Sequence, residues 1–250
     1  MKQLRIPLLT LLLPVFILGC QTTKPVLTLA EIQHKFDDAV KQDNLATVTQ
    51  GVSPNYGEIL DALTNGFIGT ITEPKLKANA WMMRGVSEWR TERLSRVPDS
   101  SAAGLRAGPV PHSRDDILLH MLPALAIDSE VTDNWMKSGK AFTAAQYEAL
   151  AEKNYLTAFG KLDEAKEQFG PATDDETKNL CAYHRWRMLL NWDAMIIHMN
   201  APENEQEAAS DRASAHFGGT SLAKLARAAR ESIPSSSPYR KLAESQMGSP

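Results

Sequence analysis

Long apolar runs, cysteines and surplus basic charge are what this sequence has least of, and each shortage narrows its chemistry. Apolar residues run together only from Ile6 to Leu18, broken by Pro7, Thr10 and Pro14. A hydrocarbon-spanning helix needs roughly 18 or more such residues, so no permanent transmembrane helix is expected. The 2 cysteines, Cys20 and Cys181, are too few for a disulfide-braced scaffold, and no Cys-x-x-Cys pair offers redox or zinc chemistry. Lys and Arg number 27 against 30 Asp and Glu, so the clustered positive excess that nucleic-acid binding requires is missing. No nucleic-acid partner is expected.

Catalytic patterns are missing too. The chain has no Gly-x-Ser-x-Gly turn and no His-Glu-x-x-His helix. Gly139-Lys140 lacks the leading glycine of a phosphate loop, and Ala141 stands where its hydroxyl would be. Glu31 and His34 form one Glu-x-x-His step, whereas a di-iron centre needs two, with further glutamates. Asp116 and His120, one helical turn apart, fit local helix stabilisation. No metal site and no cofactor are predicted, and the chain reads as non-enzymatic.

What is present begins with Lys2 and Arg5 before the apolar run and Gly19-Cys20 after it, the layout of a signal peptide. Ile17-Leu18-Gly19-Cys20 resembles the lipobox of bacterial lipoproteins. The resemblance implies removal of residues 1–19, acylation of Cys20 and attachment to a membrane through that lipid. Gln21, in place of aspartate, implies the outer membrane, facing the periplasm. Two or more acyl chains hold a protein on a bilayer where one does not. Residues 20–27 then form a short tether. Taking Lys2 and Arg5 from 27 basic residues leaves 25 against 30 acidic ones, a net charge of −5. Cys181, left without a partner in its own chain, reads as a small buried hydrophobe.

Residues 28–233 read as helices. Thr28 with Glu31, and Thr143 with Gln146, fit the capping box, and Phe142 with Tyr147 fits a hydrophobic staple. A second helix follows Pro54. A third starts at Thr72 and Pro74 and runs to about Arg96, where Pro98 stops it. Ser113 caps a fourth, bent at Pro123, and Thr173 with Glu176 opens a long one to about Asn200. Two more are expected from about Glu203 to His216 and from Ser221 to Ile233. Residues 98–112, rich in Pro, Ser, Gly and Ala, read as a long loop, and 234–250 as a weakly ordered tail. No segment alternates strictly between apolar and polar residues, so strands are not expected.

Ala80 to Gly85, and Asn154 to Phe159 followed by Ala165, resemble the first and second helices of tetratricopeptide-like repeats. That likeness implies an array of helical hairpins, although no period of roughly 34 residues spans the chain. The fold class is all-α, either an antiparallel helical bundle or a degenerate array of this kind.

Two aromatic and basic clusters stand out. Trp81, Arg84 and Trp89 lie with Arg90 on the third helix, and Arg185, Trp186 and Trp192 lie with Tyr183, His184 and Arg187 on the sixth. Trp and Arg are enriched where partners bind. The plainer reading puts the tryptophans in the core with arginines lying over them. The chain is therefore expected to be an envelope accessory or assembly factor that binds a protein partner or a small ligand. Two alternatives stay open: a glycan-acting enzyme of lysozyme-like type, with Glu58 or Glu88 as candidate acid, and a ligand-binding component of a transport system.

Overall fold

Helix starts written into the chain set the architecture. The computed structural model describes residues 27–46 and 54–247, and all the regular structure among them is helical. Residues 1–19, Cys20 and all of the 20–27 tether except Leu27 lie outside the described residues. Helix α1 (Leu29–Asp43) opens on the expected box. Glu31 donates its N–H to Thr28 Oγ1 (3.3 Å) and Thr28 donates its own to Glu31 Oε2 (2.7 Å), which satisfies two otherwise orphaned donors. The single second helix expected after Pro54 is two, α2 (Tyr56–Ala62) and α3 (Asn65–Thr70). Thr64 breaks it by capping α3, accepting Phe67 N–H at 3.1 Å.

Helix α4 (Pro74–Arg90) ends in a turn and one short 3-10 turn, Leu94–Arg96. The loop expected over 98–112 is corrected here, because α5 (Val97–Ala107) occupies most of it. Pro98 lies in the first turn, where a missing N–H costs nothing, and Gly108 closes the helix at φ 86°, a left-handed cap that favours glycine. Small residues are required because α5 presses on its neighbours. A Cβ on Gly104 would overlap both Leu119 methyls and lie 3.1 Å from Trp81 Cβ. Ser101 Oγ also donates to the Leu119 carbonyl (2.5 Å). A composition that resembles a mobile loop is in fact that of a close helix crossing.

Helix α6 (Arg114–Lys137), capped by Ser113, runs through Pro123 without interruption. Thr143 and Gln146 form the second box, opening α7 (Ala144–Tyr147), which continues through a π turn (Glu148–Glu152) into α8 (Lys153–Glu167). Phe142 and Tyr147 are both buried, as a staple requires. Helix α9 (Asp175–Ile197) is capped one residue later than expected, by Asp174, which accepts Thr177 N–H at 2.7 Å. Thr173 instead donates to the His112 carbonyl (2.9 Å). Helices α10 (Glu203–Ala215), α11 (Leu222–Glu231) and α12 (Pro238–Met247) complete the chain. The weakly ordered tail is also corrected: Tyr239 and Ala243 of α12 are fully buried against the core.

Helices α6 and α9 sit centrally, α6 against α4, α5 and α8, and α9 against α8, α10, α11 and α12. Trp192 packs against both Tyr155 and Phe159, with ring centroids 5.5 and 5.8 Å away. Among the described residues there is no strand, only an isolated bridge between Thr143 and Asn200. No described helix is long and apolar enough to cross a membrane.

Candidate functional site

The turn that ends α1 organises a buried polar network. Asn44 and Leu45 adopt φ 52° and 55°, a conformation uncommon for residues other than glycine and a real strain for leucine. Three successive carbonyls of this turn are each held by a side chain distant in sequence. Tyr239 Oη donates to Asn44 O (3.0 Å), His184 Nε2 to Leu45 O (2.8 Å) and Arg187 Nη1 to Ala46 O (3.2 Å). Helices α1, α9 and α12 are thereby fastened at one point.

Two buried carboxylates stand beside this turn. Asp43 accepts from Tyr56 Oη (3.0 Å) and Leu45 N–H (2.8 Å), and its Oδ2 lies 3.1 Å from Arg90 Nε. Asp128, 1% exposed, accepts from Arg187 Nη2 (2.6 Å), Tyr155 Oη (3.2 Å) and Asn191 Nδ2 (3.2 Å). A buried carboxylate needs such charge-assisted partners to stay ionised. Burial works against the Arg187 charge, but Asp128 more than offsets this and holds the guanidinium above the ordinary arginine range. Burial dominates at Arg90 and lowers it, with Asp43 offsetting only part. Burial, then the Asp128 charge, drives the Tyr155 hydroxyl far above its usual value and keeps it a neutral donor.

The two arginines line one cleft. It measures about 380 Å³ between the end of α4 (Trp89, Arg90) with the turn after it (Glu92), α6 (Ser129, Asp133, Lys137) and α9 (Arg187). It adjoins a second recess of about 410 Å³ that shares Ser129, Asp133 and Arg187 and adds Asp128 and Asn191. The Arg90 side chain is 8% exposed and lies on the Trp89 ring, 4.0 Å from its centroid. Trp89 Nε1 donates to Ser129 Oγ at 2.9 Å. Among the described residues, Arg90 Nη2 and Arg187 Nε have no hydrogen-bond partner, and Arg90 Nε, though within ion-pair distance of Asp43, is not aligned with it. An unmet buried donor costs about 1–3 kcal/mol. These nitrogens are covered within the cleft wall, and the charges around the cleft are matched in pairs: Arg90 with Asp43, Arg187 with Asp128, and Lys137 with Asp133.

The six candidate binding residues are not brought together. Trp89 alone reaches this cleft, meeting His184 of α9 edge-on at 5.7 Å. Trp81 and Arg84 line a separate recess of about 510 Å³ with Arg96 and Arg106. There Arg84 is committed to Glu88 (2.9 Å) and to the Leu63 carbonyl (3.0 Å). Arg185 lies over Phe159 on another face and pairs with Asp163 (2.6 Å). Trp186 and Trp192 are a correction: at 1% and 0% exposure they belong to the core and offer a partner no surface. Trp192 Nε1 is satisfied internally by Tyr147 Oη (2.8 Å).

Of the glutamates weighed as acids, Glu88 has no exposure and is held by Arg84 and Ser100, and Glu58 is exposed and paired with Lys35 (3.0 Å). Among the described residues no three of His, Cys, Asp and Glu gather closely enough to hold a metal. Asp43, Asp128 and Tyr155 escaped the sequence reading. The available signal was Asp128 itself, a charge set among Ala124, Leu125, Ala126 and Val131 of a buried face. Compared with protein-family models, curated proteins and solved structures, the chain matches none.

Proposed function

We propose that this chain is a non-enzymatic envelope lipoprotein, anchored through Cys20, whose helical domain captures a small polar molecule in the cleft between α4, α6 and α9. The observation that supports the ligand is that two largely buried guanidinium groups, Arg90 and Arg187, line this cleft and that each keeps at least one covered nitrogen without a hydrogen-bond partner among the described residues. Ligand sites are concave and carry a few convergent polar groups, and buried donors without partners call for an acceptor. Because the cleft's arginines already face carboxylates and Glu92 adds one more negative charge, a ligand of strong net charge gains little. The chemistry favours a neutral or zwitterionic molecule that offers carbonyl or carboxylate oxygens to Arg90 and Arg187. Burial of Trp186 and Trp192 removes much of the support for a protein partner as the main ligand. The same cleft suits a ligand-binding component of a transport system.

Native mass spectrometry of the protein purified from its own envelope tests this. A small retained mass should appear and should be lost on Asp133→Trp. Asp133 is exposed and lines both recesses, so this substitution fills the cleft without disturbing the core. Absence of any adduct, or an adduct that survives Asp133→Trp, overturns the assignment.

A further inference from the structure

A further cavity, independent of the polar cleft, has the opposite character. Between the end of α8, α9 and α11 runs a groove of about 390 Å³. Leu162, Phe169, Leu225 and Ala229 supply apolar wall, while Lys166, Lys178 and Arg185 also line it and no carboxylate does. Asp163 and Asp175 pair with Arg185 (2.6 Å) and Lys178 (3.3 Å) from outside the groove. Lys166 is exposed and has no ion pair among the described residues. Apolar surface left open to water is unfavourable by roughly 25 cal/mol per Å².

We propose that this groove holds one free long-chain fatty acid, with its hydrocarbon along Leu162, Phe169, Leu225 and Ala229 and its carboxylate at Lys166, Lys178 and Arg185. Lys166 has no ion pair among the described residues, and Lys178 and Arg185 meet only exposed carboxylates that lie outside the groove, so the lining selects an anionic head over a neutral or cationic one. The volume lies near the lower end of small-molecule sites, roughly 300–1,000 Å³, which suits one chain rather than the two of a phospholipid. The assignment does not rest on the polar cleft.

Cys181 provides a reporter inside the site. It lines the groove at 6% exposure, and burial pushes its thiol up to about 11, so it reacts slowly and only where the groove is open. Alkylation of the full mature protein by N-ethylmaleimide would be followed on the Cys181 peptide by mass spectrometry. Three additions would be compared: palmitate, hexadecyltrimethylammonium below its micelle-forming concentration, and phosphatidylglycerol vesicles. Saturating palmitate should slow alkylation at least about tenfold, and the other two should not. Lys166→Glu, at an exposed site, should weaken palmitate binding by about tenfold. Ala228→Trp, at an exposed position lining the groove, should abolish it with the helical circular dichroism unchanged. Equal protection by the cationic amphiphile, protection by vesicles alone, or palmitate without effect on Cys181 each overturns the proposal.

Discussion

A histidine with no exposure and one carbonyl partner is neutral by necessity. His184 Nε2 donates to Leu45 O, while Nδ1 has no partner. Burial first, then the charge of Arg187 beyond the benefit of the Leu45 bond, holds its pKa well below the ordinary 6.5. Arg90 adds to the repulsion, and Trp89 and Tyr183 close the ring edge-on. The sign follows directly. Above pH 6.5 the imidazole is neutral folded or unfolded and pH has no effect through it. Below 6.5 the unfolded chain takes up a proton that the folded one refuses, so stability falls with falling pH by about 1.4 kcal/mol per pH unit. Urea unfolding at pH 7.5 and pH 5.5 should show this loss in the native sequence and a smaller one in His184→Gln, whose amide can still donate to Leu45 O. Parallel losses in the two proteins would remove His184 from the account.

Helices rest on two kinds of information, and only one is local. The boxes at Thr28 and Thr143 and the cap at Ser113 are legible because each lies within four residues of sequence. Helices α5 and α12 were not legible, because their stability comes from contacts that no window contains. For α5 these are Gly104 under Leu119 and Ser100 Oγ on buried Glu88 (2.6 Å). For α12 the contact is Tyr239 on Asn44, 195 positions away. The polar cleft was hidden for the same reason, since Arg187 meets Asp128 across 59 positions and Ala46 across 141. The distinction has a measurable form. Were 98–112 a mobile loop, Gly104→Val would be close to neutral. At a close helix crossing it overpacks Leu119 and Trp81, and should lower unfolding stability by about 1–3 kcal/mol. An unchanged urea midpoint would mean that α5 does not pack as described.

At the scale of the whole molecule, the proposed anchor and the folded body have separate tasks. No described helix can cross a membrane, and the chain without Lys2 and Arg5 carries 30 acidic residues against 25 basic ones. An acidic body is repelled by an anionic bilayer, so the proposed attachment would fall to the acyl chains. Each buried methylene contributes about 0.8 kcal/mol, and two or three chains hold a protein where one gives only reversible binding. Cys20→Ser removes every chain at once and leaves residues 27–247 untouched. The variant should therefore move from the membrane to the soluble fraction with its thermal unfolding unchanged, and washing native membranes with 1 M salt (a Debye length of about 3 Å) should release little. If the Cys20→Ser protein stayed on the membrane until salt removed it, charged contacts would be holding it and the lipid anchor would be the wrong explanation. If it stayed through salt but left on addition of palmitate, the basic groove around Cys181 would itself be engaging lipid of the bilayer, and the free fatty acid would lose its place as occupant.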